Sequence, residues 1–565
     1  MTLDDKLETP SPTFSADLYQ PNIIISSDVN QQNDHHHMNS SPSTFDINPS
    51  QVSIMIDLDC DQENMNNESS SQMLARARKA FSSNVTKDVA FRKKQLKSLR
   101  SMLIENEQLM VDALVSDLRK SRFETVLYEV DLVKNEIQVM LNNIDTWSKP
   151  QSASKSLMTL FDKVSVKYEP YGVVLIIGAW NYPIQLSLGP LVGAIAAGNC
   201  AILKPSELTP KIARVISELL PRYLDKECYH ILLGGPADTA EALKERYDYI
   251  FYTGGDRVGR IIYEAAAKNL TPVTLEMGGK CPVYIDETTA DMMPAVRRIV
   301  WGKSINSGQT CVAPDYIICT KEVQKQILDK IPVAVKEFFG VNPQQSKDLA
   351  RVVNENHFKR LVEVLDANKS KIAFGGNYDP EDLYVSLTVI SDVNAKDPVM
   401  QEEIFGPILP IFTVRDAQEA IEYINSRQKP LALYVFSKKK AVVAQFNEQT
   451  SSGALVVNDI AVHLTVDSLP FGGVGNSGMG CYHGEYTFKT FSHPKAVLKR
   501  GFNSVLETLG SFRYPPYSNK KLGFMRLLLA KRRLIPDSLD YVIVFLSGMM
   551  ALMMIPTRLL KWLKG

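Results

Sequence analysis

The apolar positions change rhythm along the chain. From about Gln72, Ala75, Ala77, Ala80 and Phe81, then Phe91, Leu96 and Leu99, then Met102, Leu103, Leu109, Leu114 and Leu118 recur at near-helical spacing among charges. The stretch 126–147 repeats the pattern, which predicts three or so amphipathic helices at the start of the folded part. From Val164 the apolar residues gather instead into short runs at 173–177, 200–203, 229–233, 249–252, 273–275 and 283–285. Helical patterns separate several of them, at 184–197, 211–224, 237–246 and 257–269. Strands alternating with helices predict an α/β fold whose mostly parallel sheet is covered on both faces, with ligands bound at the carboxyl ends of its strands. A second α/β segment runs from Thr288 to about Gly480, with helices near 294–303, 321–338 and 417–425 and strands near 384–388 and 432–436.

The two ends differ from this middle. Residues 1–71 are rich in Ser, Asn, Asp and Gln and bury too little apolar surface to offset their ordering entropy, so a disordered extension is expected. His35, His36 and His37 form a tract that is either metal-binding or a solvated run; with no second ligand cluster nearby, no metal site is predicted. Residues 511–536 read as a Pro- and Tyr-rich linker followed by a basic, apolar segment, and 537–565 as a hydrophobic membrane anchor. Its uncharged core, 541–555, makes a helix of about 22 Å, short of the roughly 30 Å hydrocarbon thickness. Extension to Trp562, with Arg558, Lys561 and Lys564 reaching the far interface, supplies the missing length, so both a span and a shallow interfacial helix stay open.

Composition narrows the classes. The 63 basic residues balance the 63 acidic ones, so no global field recommends nucleic acid. Seven cysteines with no C-x-x-C pair fit a reducing compartment and exclude a disulfide framework or cysteine zinc site. No basic-then-apolar secretory signal opens the chain.

The candidate chemistry centres on Cys311, in Asn306-Ser-Gly-Gln-Thr-Cys-Val-Ala-Pro-Asp315. Its small, polar and Gly neighbours suit a presented nucleophile, although an isolated intracellular cysteine is more often buried and structural. Tyr252-Thr-Gly-Gly-Asp-Arg-Val-Gly259 follows a strand and opens a helix, where backbone N–H groups can hold a pyrophosphate; a tight structural turn explains the glycines nearly as well. Lys204 and Glu207 stand at a strand end, placed to bond a nucleotide ribose, while Ser206 or Thr209 would cap the next helix. Asn181 is a candidate oxyanion donor or an ordinary Asn-x-Pro turn residue. Glu276, between apolar neighbours at a strand end, is a candidate base with a raised pKa or a structural carboxylate.

Taken together, Asn181, Glu276 and Cys311 beside a dinucleotide fold are what aldehyde oxidation through a thioester requires. The chain resembles the aldehyde dehydrogenase superfamily, and in particular its class 3 branch with the membrane-bound fatty aldehyde dehydrogenases. The matching segments are Trp180-Asn-Tyr-Pro183, Leu203-Lys-Pro-Ser-Glu207, Thr253-Gly-Gly-Asp-Arg-Val-Gly259, Leu275-Glu-Met-Gly-Gly279, Gly308-Gln-Thr-Cys-Val-Ala-Pro-Asp-Tyr316, Glu402-Glu-Ile-Phe-Gly-Pro407 and Pro470-Phe-Gly-Gly-Val-Gly-Asn-Ser-Gly-Met-Gly480. They run in family order from about residue 72 to 500, leaving the N-terminal extension outside the pattern. Gly255 replaces a common Ser, and Met277 a common Leu.

The resemblance implies Cys311 as nucleophile, Glu276 as base, and Asn181 with the Cys311 N–H as oxyanion hole. It implies that Lys204 and Glu207 hold the adenosine ribose, the turn with Thr253, Gly254, Gly255, Val258 and Gly259 the pyrophosphate, and Glu403 the nicotinamide ribose, with Phe405 beside it. The expected fold is a Rossmann-type NAD-binding domain within 72–277, a catalytic domain at 278–480 and a bridging arm at 481–510 that pairs subunits into a homodimer. The expected cofactor is NAD, with NADP as alternative, and the expected substrate a medium- to long-chain aldehyde met at an intracellular membrane, the endoplasmic reticulum, with the catalytic domain facing the cytosol. A non-catalytic scaffold, and a cysteine hydrolase drawing on a histidine such as His357, are the readings from other classes.

Overall fold

The computed structural model describes residues 68–289, 292–502, 507 and 510–530. In chain order the strands are β1 (Gln151–Ser152), β2 (Lys163–Pro170), β3 (Val173–Ile177), β4 (Cys200–Lys204), β5 (Tyr229–Ile231), β6 (Tyr249–Thr253), β7 (Val273–Glu276), β8 (Pro282–Ile285) and β9 (Tyr316–Cys319). There follow β10 (Ile372–Phe374), β11 (Tyr378–Asp379), β12 (Tyr384–Val385), β13 (Thr388–Val393), β14 (Ile408–Thr413), β15 (Ala432–Phe436), β16 (Ala454–Val457), β17 (Gly478–Met479) and β18 (Ser492–Lys499).

The first sheet has the order β17-β7-β6-β3-β4-β5, parallel from β7 to β5. Strands β3 and β4 are buried at every residue, as central parallel strands must be when helices cover both faces. The chain leaves β3 toward β4 and β5, then crosses back to place β6 on the other side of β3. That reversal opens a crevice beyond the carboxyl ends of β3 and β6. The helix Pro183–Ala197, which leaves the end of β3, is apolar nearly all round because it packs in the interior.

The N-terminal helices Ser70–Ser82, Val89–Glu105, Glu107–Leu118 and Asp131–Trp147 bury the periodic residues Leu96, Leu99, Met102, Leu114, Ile137 and Met140. The first begins in a capping box: Ser69 Oγ accepts from the Gln72 N–H and the Gln72 side chain accepts from the Ser69 N–H. One π-helical turn, Val126–Val130, precedes the last and carries Glu129 into the interior.

The second sheet has the order β10-β13-β14-β9-β8-β15-β16, parallel except at the β10 edge. Of its members β9, β10, β14 and β16 escape the sequence pattern, and β13 is met by it only at Thr388; β14 carries Pro410, which marks a run as a poor strand. The strand predicted at 384–388 is broken in two. Ser386 Oγ and Thr388 Oγ1 accept the N–H groups of Asn377 and Gly376, so β12 turns into a ribbon with β11 before β13 joins the sheet.

At Gly478 the chain returns to the first sheet, where β17 pairs with β7, and β18 then runs antiparallel along β2 in continuous register from Ser492↔Pro170 to Lys499↔Lys163. The three-stranded sheet β1-β2-β18 therefore takes two strands from 151–170, a stretch grouped by sequence with the nucleotide-binding part. Strand β2 is only half-buried, so its own pattern gave no sign of a partner so far along the chain. The predicted linker contains a 3₁₀ turn, Ser511–Arg513, and a helix, Asn519–Leu529, joined by the packing of Phe512 on Phe524 at 4.5 Å between ring centroids. The membrane anchor expected at 537–565, the histidine tract and the extension up to residue 67 lie outside the described residues. Among the described residues no helix is long and apolar enough to cross a membrane and no residue cluster could hold a metal ion.

Candidate active site

Cys311 owes its position to a contorted approach. After the helix Met292–Ser304 the backbone of Asn306 (φ 48°), Ser307 (φ 56°) and Gly308 (φ 74°) turns left-handed three times in succession. Each non-Gly residue there costs of order 1–3 kcal/mol, so surrounding bonds must over-determine the turn. The Asn306 N–H donates to Glu124 Oε2 at 3.0 Å, and its side-chain amide to the Asn181 carbonyl at 2.8 Å. Gln309 donates from Nε2 to the carbonyls of Asn306 and Arg351, both at 2.9 Å, and accepts the Val353 N–H at 3.0 Å. At Gly308 a Cβ would stand 2.4 Å from the Gly406 carbonyl oxygen, so only glycine allows the approach.

The turn leaves Cys311 partly accessible, mostly buried, while Val312 is fully buried, so the side chain is not an inert core thiol. Burial pushes the thiol up to about 12, and the negative charges of Glu403 and then Glu276 push the same way, against backbone N–H groups of Cys311 and Val312. The thiol is thus neutral at rest and shares one electrostatic environment with two of the predicted carboxylates.

Asn181 stands beside this turn, four residues beyond the end of β3. Its amide donates to the Gln309 carbonyl at 3.1 Å, leaving the second amide hydrogen for an oxyanion. Its backbone carbonyl accepts from Lys120 Nζ at 2.8 Å, and Lys120 pairs with Glu129 at 2.6 Å, both side chains having no exposed surface. Glu129 also accepts the Ile184 N–H at 2.8 Å, and Tyr182 Oη bonds Thr310 Oγ1 at 2.7 Å. A buried ion pair is tolerable only when its remaining donors and acceptors are matched, as they are here. Sequence reasoning missed Lys120, Glu124 and Glu129: charges in and beside amphipathic helices read as solvated.

Glu276 ends β7. Its carbonyl accepts the Gly254 N–H at 3.0 Å, and the next residue donates to the Ser477 carbonyl at 3.1 Å, so the backbone is held from both sides. Its side chain is buried, and neither carboxyl oxygen has a hydrogen-bond partner among the described residues. Burial raises its pKa well above the usual carboxylate range. Buried polar groups are almost always paired, so an orphaned carboxyl at a crevice marks a place for a ligand or water.

The nucleotide side spans the ends of β4, β3 and β6. Lys204 Nζ and Glu207 Oε2 meet at 2.6 Å. Neither Ser206 nor Thr209 caps the helix Pro210–Tyr223; the Asp117 carboxylate accepts the N–H groups of Lys211 and Ile212 at 3.1 and 2.9 Å instead. Thr253 Oγ1 is buried without a partner, and nothing lies within 4 Å of where a Cβ on Gly255 would stand. Gly255 begins the helix Asp256–Lys268 with no side-chain cap, so among the described residues no side chain at the cap takes up the first-turn N–H groups. Gly259 permits close packing, since a Cβ there would be 2.5 Å from Met277 Sδ, while Val258 on the same turn is exposed.

Glu403 and Phe405 come from the segment before β14. The Glu403 carboxylate lies where a Cβ on Gly278 would be, within 2.3 Å, and burial followed by the Asp315 charge raises its pKa to about 8. Phe405 takes φ 48°, a strained value for an aromatic residue, and packs edge-on to Trp180 at 5.4 Å. The orphaned Thr253 hydroxyl, the open helix start, the Lys204–Glu207 pair and Glu403 together fit a dinucleotide. His357 packs edge-on to Trp180 at 5.0 Å, and no described histidine hydrogen-bonds to Cys311, which leaves a cysteine hydrolase without its base.

A parallel-sheet crevice that joins a presented thiol, a buried carboxyl and an open helix start defines a nucleotide-dependent thiol enzyme. The chain belongs to the aldehyde dehydrogenase family, whose model matches residues 40–497, and is an NAD(P)-dependent aldehyde dehydrogenase. It is 50% identical over 461 residues to aldehyde dehydrogenase family 3 member A2 of Mus musculus, covering 82% of this chain and 94% of that one. It is 48% identical over 459 residues to family 3 member B1 of Bos taurus, covering 81% and 97%. The structure of the substrate-bound Staphylococcus aureus AldH superposes with a TM-score of 0.79 at 41% identity, covering 81% of this chain and 99% of that one. Betaine aldehyde dehydrogenase of the same organism, solved with NAD⁺, superposes with a TM-score of 0.69 at 25% identity, covering 76% and 86%. The family match begins at residue 40, so 40–71, set outside the family pattern on composition, falls within it.

Proposed function

We propose that the protein oxidises medium- to long-chain aliphatic aldehydes to carboxylic acids through a thioester on Cys311, with NAD as its cofactor. The observation that carries this reading is the orphaned, buried carboxyl of Glu276 in the electrostatic field of the Cys311 thiol. Cys311, deprotonated on attack, adds to the aldehyde carbonyl, and the Asn181 amide and the Cys311 N–H stabilise the oxyanion. Bound at the crevice, NAD supplies a hydride acceptor. Glu276 then takes a proton from the water that hydrolyses the thioester, a task suited to a carboxyl that burial makes more basic than an ordinary carboxylate.

Lys204 and Glu207 would hold the adenosine ribose, Thr253 and the Gly254–Gly259 turn the pyrophosphate, and Glu403 the nicotinamide ribose. A carboxylate at Glu207 suits a free 2′-hydroxyl, which favours NAD over NADP. The apolar tail at 537–565 and the basic helix Asn519–Leu529, with Lys520, Lys521 and Arg526, support attachment to an intracellular membrane where apolar aldehydes concentrate. The endoplasmic reticulum, with the catalytic part in the cytosol, and a homodimer formed through β1-β2-β18 complete the proposal.

Two experiments test the substrate and the anchor. NADH formation across saturated aldehydes should show kcat/KM rising by about 1 kcal/mol, roughly fivefold, for each methylene that enters an apolar site. A flat series from propanal to dodecanal would remove the fatty-aldehyde assignment. Truncation before Asp537 should move the protein from the membrane pellet to the supernatant with its activity on short aldehydes intact; a truncated form that still sediments with membranes would refute the anchor.

A further inference from the structure

Three stretches of chain, each carrying one site residue, meet at an ion pair set behind the reacting groups. Lys280 follows Glu276 along the chain, and Asp315 follows Cys311. Their side chains are almost entirely buried, 12% and 4% exposed, and meet at 2.5 Å. Lys280 Nζ also donates to the carbonyls of Val399 and Glu402 at 3.0 and 2.8 Å, so all three ammonium hydrogens are used. Asp315 accepts the Ile404 N–H on its other oxygen at 2.9 Å, and its own N–H donates to the Cys281 carbonyl at 2.8 Å.

Glu403 is thereby fixed on both sides: Lys280 holds the carbonyl of Glu402 before it, and Asp315 the N–H of Ile404 after it. With these neighbours pinned, Phe405 is forced into its left-handed backbone and Glu403 onto Gly278. The same brace reaches the nucleophile through Cys281, whose carbonyl holds the Asp315 N–H and whose Sγ donates to the Cys311 carbonyl at 3.4 Å. A free-standing stabilising ion pair would not need to grip the two peptide groups that flank one carboxylate.

We propose that Lys280 and Asp315 form a positioning clamp that sets the Glu403–Phe405 loop against the Cys311 turn, so that cofactor affinity and thiol reactivity depend on it together. Neither residue touches the reacting atoms. The inference rests on the reading of Cys311 and Glu403 given above, and its test separates the two. NADH dissociation constants by fluorescence, and iodoacetamide alkylation rates of Cys311 in cofactor-free protein, are measured for the full chain and for Lys280→Met, Lys280→Arg, Asp315→Asn and Glu403→Gln.

Lys280→Met is expected to weaken NADH binding about tenfold and to change the alkylation rate about threefold, with Lys280→Arg intermediate, as displacement of a preorganised group predicts. Folded Lys280→Met within about twofold of the full chain on both readouts, or Lys280→Arg no better than Lys280→Met, overturns the clamp. Should Lys280→Met fail to fold by circular dichroism, Asp315→Asn, which keeps an oxygen for the Ile404 N–H, decides by the same limits. Unchanged NADH binding in Glu403→Gln sinks the cofactor role of Glu403; weakened binding there with an unaltered Lys280→Met sinks only the clamp.

Discussion

Cys311→Ser is expected to abolish aldehyde-dependent NADH formation, lowering kcat/KM by about 10⁴-fold or more, because a nucleophile acting as one unit with its base has no substitute. The effect should be confined to chemistry. The left-handed turn that presents residue 311 is held by hydrogen bonds of Asn306 to Glu124, Asn181 and Gln309 and by the close approach at Gly308, not by bonds to the sulfur, so the thermal midpoint should stay within a few degrees of the unmodified chain. NADH binding by fluorescence should likewise persist. Turnover by Cys311→Ser at a comparable rate would exclude the thioester route. The pH dependence follows from the thiol's position: with burial pushing it up to about 12, the thiolate fraction in cofactor-free protein grows with pH throughout the accessible range. Iodoacetamide alkylation should therefore rise about tenfold per pH unit from 7 to 9 without a plateau. A plateau near pH 8 would mean that the surrounding N–H groups outweigh burial and the two carboxylates.

Glu276→Gln should separate the two halves of the reaction. A single burst of NADH, about one per active thiol, should survive, while steady-state turnover falls by about 10² to 10⁴, since a glutamine can position water but cannot take its proton. The unmodified enzyme's deacylation should accelerate as pH rises through the raised Glu276 pKa, because only the ionised form accepts the proton; Glu276→Gln should lose that dependence. Little stability should be lost, as both carboxyl oxygens are already without partners. An absent burst, read by rapid mixing, would place Glu276 in the earlier step as the base that deprotonates Cys311.

Most of the candidate site was legible because it sits where local sequence is informative. Gly178 to Asn181, Lys204 to Glu207, Thr253 to Gly259 and Glu276 to Gly279 all follow short buried runs, and in a parallel α/β sheet the carboxyl ends of such runs converge. Helix boundaries at Pro183 and Pro210 were similarly readable, since proline marks the first helical turn. The supports beneath the site were not. Lys120 sits in the loop after the helix Glu107–Leu118 and Glu124 and Glu129 stand on the helical turns that follow, and only packing turns those three inward beneath Asn181 and Asn306. The helix cap drawn from Ser206 or Thr209 is supplied by Asp117, far upstream, because the chain folds the carboxylate over the Pro210 end.

The membership of the small antiparallel sheet was equally hidden. Strand β18 was placed in a bridging arm of its own, yet half of that arm is β2, whose exposed alternation carries no record of which strand it meets. The sequence by itself determined the α/β class, the succession of strand ends and the types of residue at each, because periodicity and turn chemistry act within a few residues. Only the tertiary structure decided that Cys311, Glu276 and Glu403 share one electrostatic environment, that Lys120 and Glu129 sit beneath the oxyanion donor and that Lys280 meets Asp315. Those juxtapositions depend on contacts between segments that are separate in the chain, and each is made worthwhile by desolvation that no single segment of chain can produce alone.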